Sequence, residues 1–222
     1  MKALIVDDNP INNLILEDIL LQLNIDVVAS SSIWHAITTY NSGVFDLVIT
    51  DLVLPDEDGY DLAMHVYSNS RGKVPILSSS INRVEAEFSN IFYGSIFKPF
   101  CRKTIFDTVS PIIIASSRSG PIMPDKQIST TKNYTQELIK SANTDLLKVQ
   151  SSIQVRDFNQ AIKTLHRVKG ALLTLNSDPN SISSVEKLNY LLTQQHTNIN
   201  IPPSQTQILI SKILHSLSTQ ST

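Results

Sequence analysis

The sequence lacks the residues that would build a disulfide framework, a zinc site or a membrane anchor. A single cysteine, Cys101, cannot form an internal disulfide, and no cysteine and histidine cluster indicates a metal site of that kind. No run of 18 or more apolar residues occurs, so we expect no membrane-spanning helix. An acidic residue at Asp7 comes too early for a secretory signal peptide. Together these absences predict a protein of the reducing cytoplasm.

The chain also carries little net charge, but the charge is divided unevenly. The 18 basic and 20 acidic side chains give a formal net charge of −2. Residues 1–115 hold 14 acidic and 7 basic side chains, a net charge of −7, whereas residues 116–222 hold 6 acidic and 11 basic ones, a net charge of +5. Opposite charges favour docking of such halves on one another or on similar partners. The basic side chains are scattered over the second half without a short helix-turn-helix pair, which argues against nucleic acid as a partner.

Short apolar runs alternate with helical patterns throughout residues 1–115. Runs without polar alternation are typical of strands that are buried on both faces of a parallel sheet. Between the first two runs, apolar residues from Ile11 to Leu23 recur at helical spacing, and Pro10 suits the first turn of a helix. Five such repeats predict an α/β domain with a doubly wound five-stranded parallel sheet and a site at the carboxyl ends of its strands. The predicted strands contain Ala3–Val6, Val27–Ala29, Leu47–Ile49, Pro75–Leu77 and Ser95–Phe97.

The second half has a different character. Residues 116–132 are dominated by serine, threonine, glycine and proline, which predicts a linker. Residues 133–222 show no strand pattern and predict an all-α domain, an antiparallel four-helix bundle. Its second helix has a clear apolar seam at Phe158, Ala161, Leu165, Val168, Leu172 and Leu175. The predicted helices span about 134–153, 157–176, 181–194 and 204–218, with breaks at Asp178–Asn180 and at Pro202-Pro203.

Three carboxylates are predicted to converge at one edge of the sheet. Asp7 and Asp8 follow the first strand, and Asp51 follows the third. Carboxylates this close need a cation, and Mg²⁺ is the natural partner because it prefers oxygen ligands and keeps positions open for phosphate. Lys98 follows the fifth strand and can supply a positive charge, while Ser80 follows the fourth and offers a hydroxyl. A carboxylate nucleophile with a metal, a lysine and a hydroxyl predicts phosphoryl transfer.

These segments resemble the receiver domains of two-component response regulators and hybrid histidine kinases. The resemblance is carried by Val6–Pro10, Thr50–Pro55, Asp58-Gly59 and Lys98–Phe100, and it covers nearly all of residues 1–115. It implies that Asp51 is the phosphoacceptor and that Lys98 contacts the phosphoryl group. It also implies that Asp8 binds the metal directly, that Asp7 binds it largely through water, and that the Val53 carbonyl completes the metal shell.

The sequence departs from the usual receiver pattern in three places. The interval from Ser80 to Lys98 is short, which predicts a clipped fourth helix. Ser95 stands where many receivers carry a switching aromatic residue, and Ile81 stands where a small residue is usual. If the register of Ser80 is wrong, Ser78 or Ser79 is its substitute. We therefore expect the phosphoryl chemistry to be retained and the conventional output switch to be altered.

The second half contains one histidine with distinctive neighbours. His166, Lys169, Gly170 and Leu173 share a stripe of the second predicted helix, beside its buried seam. Neutral imidazole is a nucleophile near pH 7. A glycine inside an exposed helix costs about 1 kcal/mol against alanine, so its expected role is to let a partner site approach the imidazole. His166, Lys169 and Gly170 resemble the motif of histidine-phosphotransfer domains, although Asn176 stands where that family often has a second glycine. The other histidines, His35, His65, His196 and His215, are predicted to be ordinary surface residues.

These patterns together predict a phosphorelay protein. Asp51 would receive a phosphoryl group from a sensor histidine kinase, and His166 would exchange it with a downstream receiver. The chain has no glycine-rich ATP lid, so it is not a complete kinase. Three alternatives remain: the C-terminal part of a hybrid histidine kinase, a DNA-binding response regulator, and an adaptor that is not phosphorylated.

Overall fold

The computed structural model describes residues 1–54, 58–80, 84–116, 134–175, 177–194 and 203–219. The chain divides into two compact units, Met1–Lys132 and Asn133–Thr222. The predicted linker at 116–132 lies outside the described residues, apart from Ser116, which ends a helix of the first unit. Within the described ranges, no helix combines the length and the apolar character needed to cross a membrane.

The first unit alternates strands and helices, as its apolar runs predict, and each of the five runs forms a strand. The strands are β1 (Lys2–Val6), β2 (Asp26–Ser30), β3 (Leu47–Asp51), β4 (Ile76–Ser80) and β5 (Gly94–Phe97). The helices are α1 (Pro10–Gln22), α2 (Ile33–Ser42), α3 (Gly59–Ser70) and α4 (Arg102–Ser116).

The five strands form one parallel sheet in the order β2-β1-β3-β4-β5, so the doubly wound sheet is confirmed. Alternate residues along each strand point to opposite faces. One face carries Ile5, Ile49 and Leu77 into a core with α1 and α4 residues such as Leu16 and Ile105. The other face packs against α2 and α3. Because both faces are covered, the strands contain continuous apolar runs.

The topology brings the ends of three strands to one edge. The strand order reverses between β1 and β3, and in open α/β sheets the ligand site lies at the carboxyl ends beside such a point. The turn after β1 is short because Asn9 caps α1, its side chain accepting the backbone N–H of Ile11 at 3.0 Å. Asp58 caps α3 in the same way through the N–H of Tyr60.

The segment between β4 and β5 is clipped, as its short interval predicts. Within residues 84–93 the structure has a single 3₁₀ turn, Ala86–Phe88, and no α-helix. Tyr60 of α3 anchors this turn. Its ring packs on Phe88 with centroids 4.3 Å apart, and its hydroxyl accepts the backbone N–H of Glu85 at 3.0 Å. An aromatic contact therefore replaces the packing that a longer helix would provide.

The described residues of the second unit lie almost wholly in helices. These are α5 (Thr135–Gln154), α6 (Phe158–Thr174), α7 (Pro179–Gln194) and α8 (Pro203–Thr219). Helix α7 begins two residues before its predicted start, because proline fits the first turn of a helix and the Asp178 carboxylate accepts the N–H of Asn180. The buried residues include Leu146, Val149, Leu165, Val168, Leu172, Val185, Leu188, Ile210 and Ile213.

Contacts between these helices follow a closed order. Helix α5 packs on α6 and α8, and α7 packs on α6 and α8. A two-point ion pair joins α5 to α6: Arg167 donates to both carboxylate oxygens of Asp145, from Nε at 3.0 Å and from Nη2 at 2.9 Å. Asp178 joins the ends of α7 and α8 by accepting hydrogen bonds from Ser181 and Ser216. The second unit is therefore held by both apolar and polar contacts.

Candidate functional site

The carboxyl edge of the sheet holds a buried cation between two buried carboxylates. Asp7 directly follows β1, Asp51 ends β3 and Lys98 directly follows β5, and these residues are 0%, 3% and 8% exposed. Lys98 Nζ lies 2.7 Å from Asp7 Oδ2 and 2.5 Å from Asp51 Oδ2. The structure thus brings together three of the residues that the sequence assigns to the site.

Burial and charge act against each other in this cluster. Burial raises the pKa of Asp51, Lys98 lowers it and Asp7 raises it, and the net direction is upward. Burial alone would lower the pKa of Lys98, but the carboxylates of Asp7 and Asp51 raise it above its ordinary value. Lys98 is therefore a fixed cation. The Asp51 carboxylate is basic for an aspartate and depends on neighbouring positive charge to stay ionised.

Backbone geometry around Asp51 fixes its direction. Its Oδ1 accepts the N–H of Val53 at 3.2 Å, and its carbonyl accepts the hydroxyl of Thr50 at 2.9 Å. Helix α3 starts directly against this point, since the N–H of Gly59 donates to the Leu52 carbonyl at 3.0 Å. A Cβ at Gly59 would lie 1.9 Å from the Asp51 carbonyl oxygen, so no larger residue fits there.

The acidic residues of the site have different surroundings. Carboxylate oxygens of Asp8 and Asp51 lie within 4.8 Å of each other, and Asp8 is partly exposed. Both oxygens of Asp7 contact protein donors, including Lys98 and the N–H of Asn9. The direct metal role predicted for Asp8 and the water-mediated role predicted for Asp7 stay predictions. The metal role of the Val53 carbonyl stays a prediction.

The serines at the end of β4 have separate environments. Ser78 donates its hydroxyl hydrogen bond to Ser95 at 2.7 Å, so it is committed to β5. Ser79 lies directly across from Asp51 in the strand pairing and is fully buried, and its hydroxyl has no hydrogen-bond partner among the described residues. Ser80 is also buried, and its carbonyl accepts the N–H of Lys98 at 3.0 Å. Of the two substitutes considered for Ser80, Ser79 is thus the better placed. Ile81 lies outside the described residues.

Two asparagines were missed at the sequence level. Asn12 and Asn13 lie on α1 and are 1% and 7% exposed. Asn12 donates to both carboxylate oxygens of Asp7, and Asn13 donates to its backbone carbonyl. A signal was present: amides stand on the buried side of a helix where the pattern calls for apolar residues.

In the second unit, His166 lies on α6 and is partly buried. Lys169, one turn later, forms an ion pair with Glu186 of α7 at 2.8 Å. The expectation that Gly170 lies on an exposed stripe is wrong, because Gly170 is buried. Ala171 and Leu172, which follow it, are buried as well, so the buried face of α6 is wider here than the predicted seam. Asn176 and His196 lie outside the described residues.

Comparisons with known proteins agree with the geometry of the first unit. Residues 3–110 match the family of the response regulator receiver domain. The sensory transduction protein LytR of Staphylococcus epidermidis is 28% identical over 194 residues, which cover 86% of this chain and 75% of that protein.

Solved structures are similar to about half of the chain. The non-phosphorylated HemR receiver domain from Leptospira biflexa is 28% identical, with a TM-score of 0.47, covering 54% of this chain and 97% of that one. A sensor protein from Polaromonas sp. JS666 is 21% identical, with a TM-score of 0.48, covering 52% and 98%. With the family match and the cluster of Asp7, Asp51 and Lys98, residues 3–110 are a response regulator receiver domain, the part of a two-component system that is phosphorylated on an aspartate.

Proposed function

We propose that Asp51 is the phosphoacceptor of this receiver domain and that a sensor histidine kinase is its donor. The observation that carries the proposal is the buried Asp51 carboxylate at the end of β3, in contact with Lys98 and close to Asp8. A nucleophilic carboxylate beside a fixed cation and a second acidic ligand has the parts that phosphoryl transfer requires.

The transfer proceeds by exchange of one bond. An oxygen of Asp51 forms a bond to phosphorus while the bond between phosphorus and the imidazole nitrogen of the donor phosphohistidine breaks. The imidazole leaves with the electron pair of that bond and takes up a proton. Lys98 is already 2.5 Å from Asp51 and is placed to balance the negative charge of the incoming phosphoryl group. A serine hydroxyl at the end of β4, assigned to Ser80, completes the contacts.

The donor set of the site fits a divalent cation. Receiver domains generally bind Mg²⁺ in an acidic pocket, and here Asp8 and Asp51 offer carboxylate oxygens within 4.8 Å of each other. Hard oxygen ligands of this kind suit Mg²⁺. We assign Asp8, Asp51 and the Val53 carbonyl to direct contact and Asp7 to contact through water. When bound, the ion supplies positive charge for the phosphoryl oxygens.

Replacing Asp51 by asparagine tests the assignment. The Asp51→Asn variant should fold and form no alkali-labile acylphosphate, because the amide is not a nucleophile. Intact-protein mass spectrometry after incubation with a phosphorylated kinase fragment measures this directly. The matched control is Asp61→Asn, an exposed aspartate at the start of α3, which should load like the native chain. If Asp51→Asn and Asp61→Asn form equal amounts of acylphosphate, the phosphoacceptor is a residue other than Asp51.

We further propose that the second unit is a histidine-phosphotransfer domain. Two findings support this: α5, α6, α7 and α8 contact one another in a closed order, as the helices of a four-helix bundle would, and His166 lies partly accessible on α6. Lys169 is one turn from His166 and is held by Glu186, from which it can turn to a phosphoryl oxygen. Phosphoryl would pass between His166 and the aspartate of a partner receiver, in the cytoplasm.

The His166→Gln variant tests this second step. It should load phosphoryl on Asp51 normally and fail to relay it through the second unit to a downstream receiver, because glutamine cannot form phosphohistidine. Radiolabel transfer from a phosphorylated donor measures both steps. The control is His215→Gln, an exposed histidine of α8, which should relay at the native rate.

A second candidate is a response regulator whose helical unit is an output module. The similarity to LytR over 86% of this chain favours it, since that match extends well beyond the receiver domain. The same experiment separates the candidates. If His166→Gln relays label at the native rate, His166 is a bystander and the output-module function replaces phosphotransfer.

A further inference from the structure

Asn12, a buried asparagine of α1, contacts the acidic site although its own side chain is uncharged. Asn12 is 1% exposed, and its side-chain amide donates to Asp7 Oδ1 at 3.0 Å and to Asp7 Oδ2 at 3.1 Å. Burying an amide is costly unless its polar atoms are hydrogen-bonded. The Oδ1 atom of Asn12 is buried and has no hydrogen-bond partner among the described residues. An apolar residue would avoid that cost, so packing alone does not account for Asn12.

The contacts of Asp7 show what the amide contributes. Its Oδ1 also accepts the N–H of Asn9 at 2.9 Å, and its Oδ2 also accepts Lys98 Nζ at 2.7 Å. Of the donors to Asp7 among the described residues, Asn12 is the one that contacts both oxygens, so it opposes rotation of the carboxylate about its bond to Cβ. Rotation would take Oδ2 away from Lys98, which is shared with Asp51. The orientation of Asp7 thereby influences the position of Lys98.

The neighbouring Asn13 makes a different kind of contact. Its side-chain amide donates to the backbone carbonyls of Asp7, at 2.9 Å, and of Ser30, at 3.1 Å. It therefore joins the ends of β1 and β2, and within the described part of the chain it makes no hydrogen bond to a carboxylate. Asn13 is also buried and also leaves its Oδ1 without a partner in the described ranges. The two residues are a matched pair for experiment.

We propose that Asn12 is a positioning residue of the phosphorylation site. It fixes the Asp7 carboxylate in the orientation that holds Lys98 and that faces a bound divalent cation through water. This inference rests on the proposed function of the acidic site. Outer hydrogen-bond partners of metal-site carboxylates commonly change metal affinity by about 10–100-fold when they are removed. Asn12 would act on that scale through Asp7, without touching the phosphoryl group.

Mg²⁺ affinity of the full chain, separated from stability, is the measurement that tests the proposal. Mg²⁺ titration followed by NMR shifts of backbone amides gives the affinity, and thermal denaturation without Mg²⁺ gives the stability. Asn12→Ala and Asn13→Ala should both lower the melting temperature. Asn12→Ala alone should weaken Mg²⁺ binding, by about 10-fold or more. In an Asp7→Asn background, Asn12→Ala should cause no further loss of affinity, because its target is already gone.

The outcomes separate this inference from the proposed function. If the native chain binds Mg²⁺ and Asn12→Ala binds it as tightly as Asn13→Ala does, Asn12 has only a structural role and the inference is overturned. If the native chain shows no Mg²⁺ binding, or Asp8→Ala leaves it unchanged, the metal site itself is wrong and the inference falls with it. Should Asn12→Ala not fold, Asn12→Leu fills the same volume without a donor, and the same comparison applies.

Discussion

Lys98 shows what the sequence can and cannot predict about a single residue. Its place after the fifth apolar run is enough to predict that it lies at the edge of the site. The sequence does not predict that it is 8% exposed and contacts two carboxylates at once, because that depends on the side-chain conformations of three strand ends. The Asn12 amide was missed for the same reason. Periodicity locates apolar residues, whereas buried polar contacts are decided by tertiary geometry.

Removing the Lys98 charge should destabilise the receiver domain strongly. In the Lys98→Met variant the buried carboxylates of Asp7 and Asp51 lose their shared cation, and losing one partner of a buried ion pair costs about 3–5 kcal/mol. The free energy of unfolding from urea titration in the presence of a chelator measures this. Added Mg²⁺ should restore part of the loss.

An exposed ion pair supplies the control for this experiment. Lys103 is 85% exposed and pairs with Asp107 one helical turn away at 2.8 Å. Solvent screens such pairs, so Lys103→Met should leave the unfolding transition unchanged within error. If Lys98→Met is as stable as Lys103→Met, the buried cluster does not contribute to the stability of the fold.

At the scale of elements, the sequence predicted the strands of the first unit well. Each is a continuous apolar run, and such runs are distinctive when a sheet is covered on both faces. Helix ends were predicted less well, as Pro179 shows, because one proline can either break a helix or begin it. The sequence predicted that the segment between β4 and β5 is short, but it did not predict the 3₁₀ turn at Ala86–Phe88. Its anchoring by Tyr60 joins residues far apart in sequence, which local patterns do not reveal.

Adding one methyl group at Gly59, where the chain passes from β3 to α3, should disturb the site. In Gly59→Ala the added Cβ would lie 1.9 Å from the Asp51 carbonyl oxygen, so the first turn of α3 must move away from the phosphoacceptor strand. Overpacking of this kind typically costs about 1–3 kcal/mol. Gly59→Ala should therefore unfold at lower urea concentration and accept phosphoryl more slowly than the native chain.

Gly94 of β5 provides the comparison. A Cβ there would meet its nearest neighbours, side-chain atoms of Leu77 and Thr108, at 3.5 and 3.6 Å, which are ordinary contacts. Gly94→Ala should be tolerated, with a stability equal to or slightly above that of the native chain. Equal behaviour of the two variants would show that α3 does not depend on close approach to Asp51.

At the scale of the whole molecule, charge and fold change at the same place. Residues 1–115, which carry a net negative charge, contain the receiver domain. Residues 116–222, which carry a net positive charge, contain the four helices described above. Sequence alone predicted both changes, because composition and periodicity are averages over many residues. It did not predict the burial of Gly170, since a single position on a helix face depends on what surrounds it. The roles of His166 and of the second unit as a whole remain predictions.

The net charge of +5 in the second half predicts how it meets a partner. Receiver sites are acidic before phosphorylation, as Asp7, Asp8 and Asp51 are here, so encounter of the α6 face with a partner receiver should be accelerated by attraction. Radiolabel transfer to that receiver should slow by about tenfold or more as salt approaches 1 M, where the Debye length is about 3 Å.

Lys163→Glu, one turn before His166, should slow transfer at low salt and reduce its salt dependence. Lys212→Glu makes the same change in net charge on α8, which packs on α5 and α7, and should have a smaller effect. Equal effects of the two variants would mean that net charge matters and the α6 face does not. A rate independent of salt would mean that encounter is not electrostatic at all.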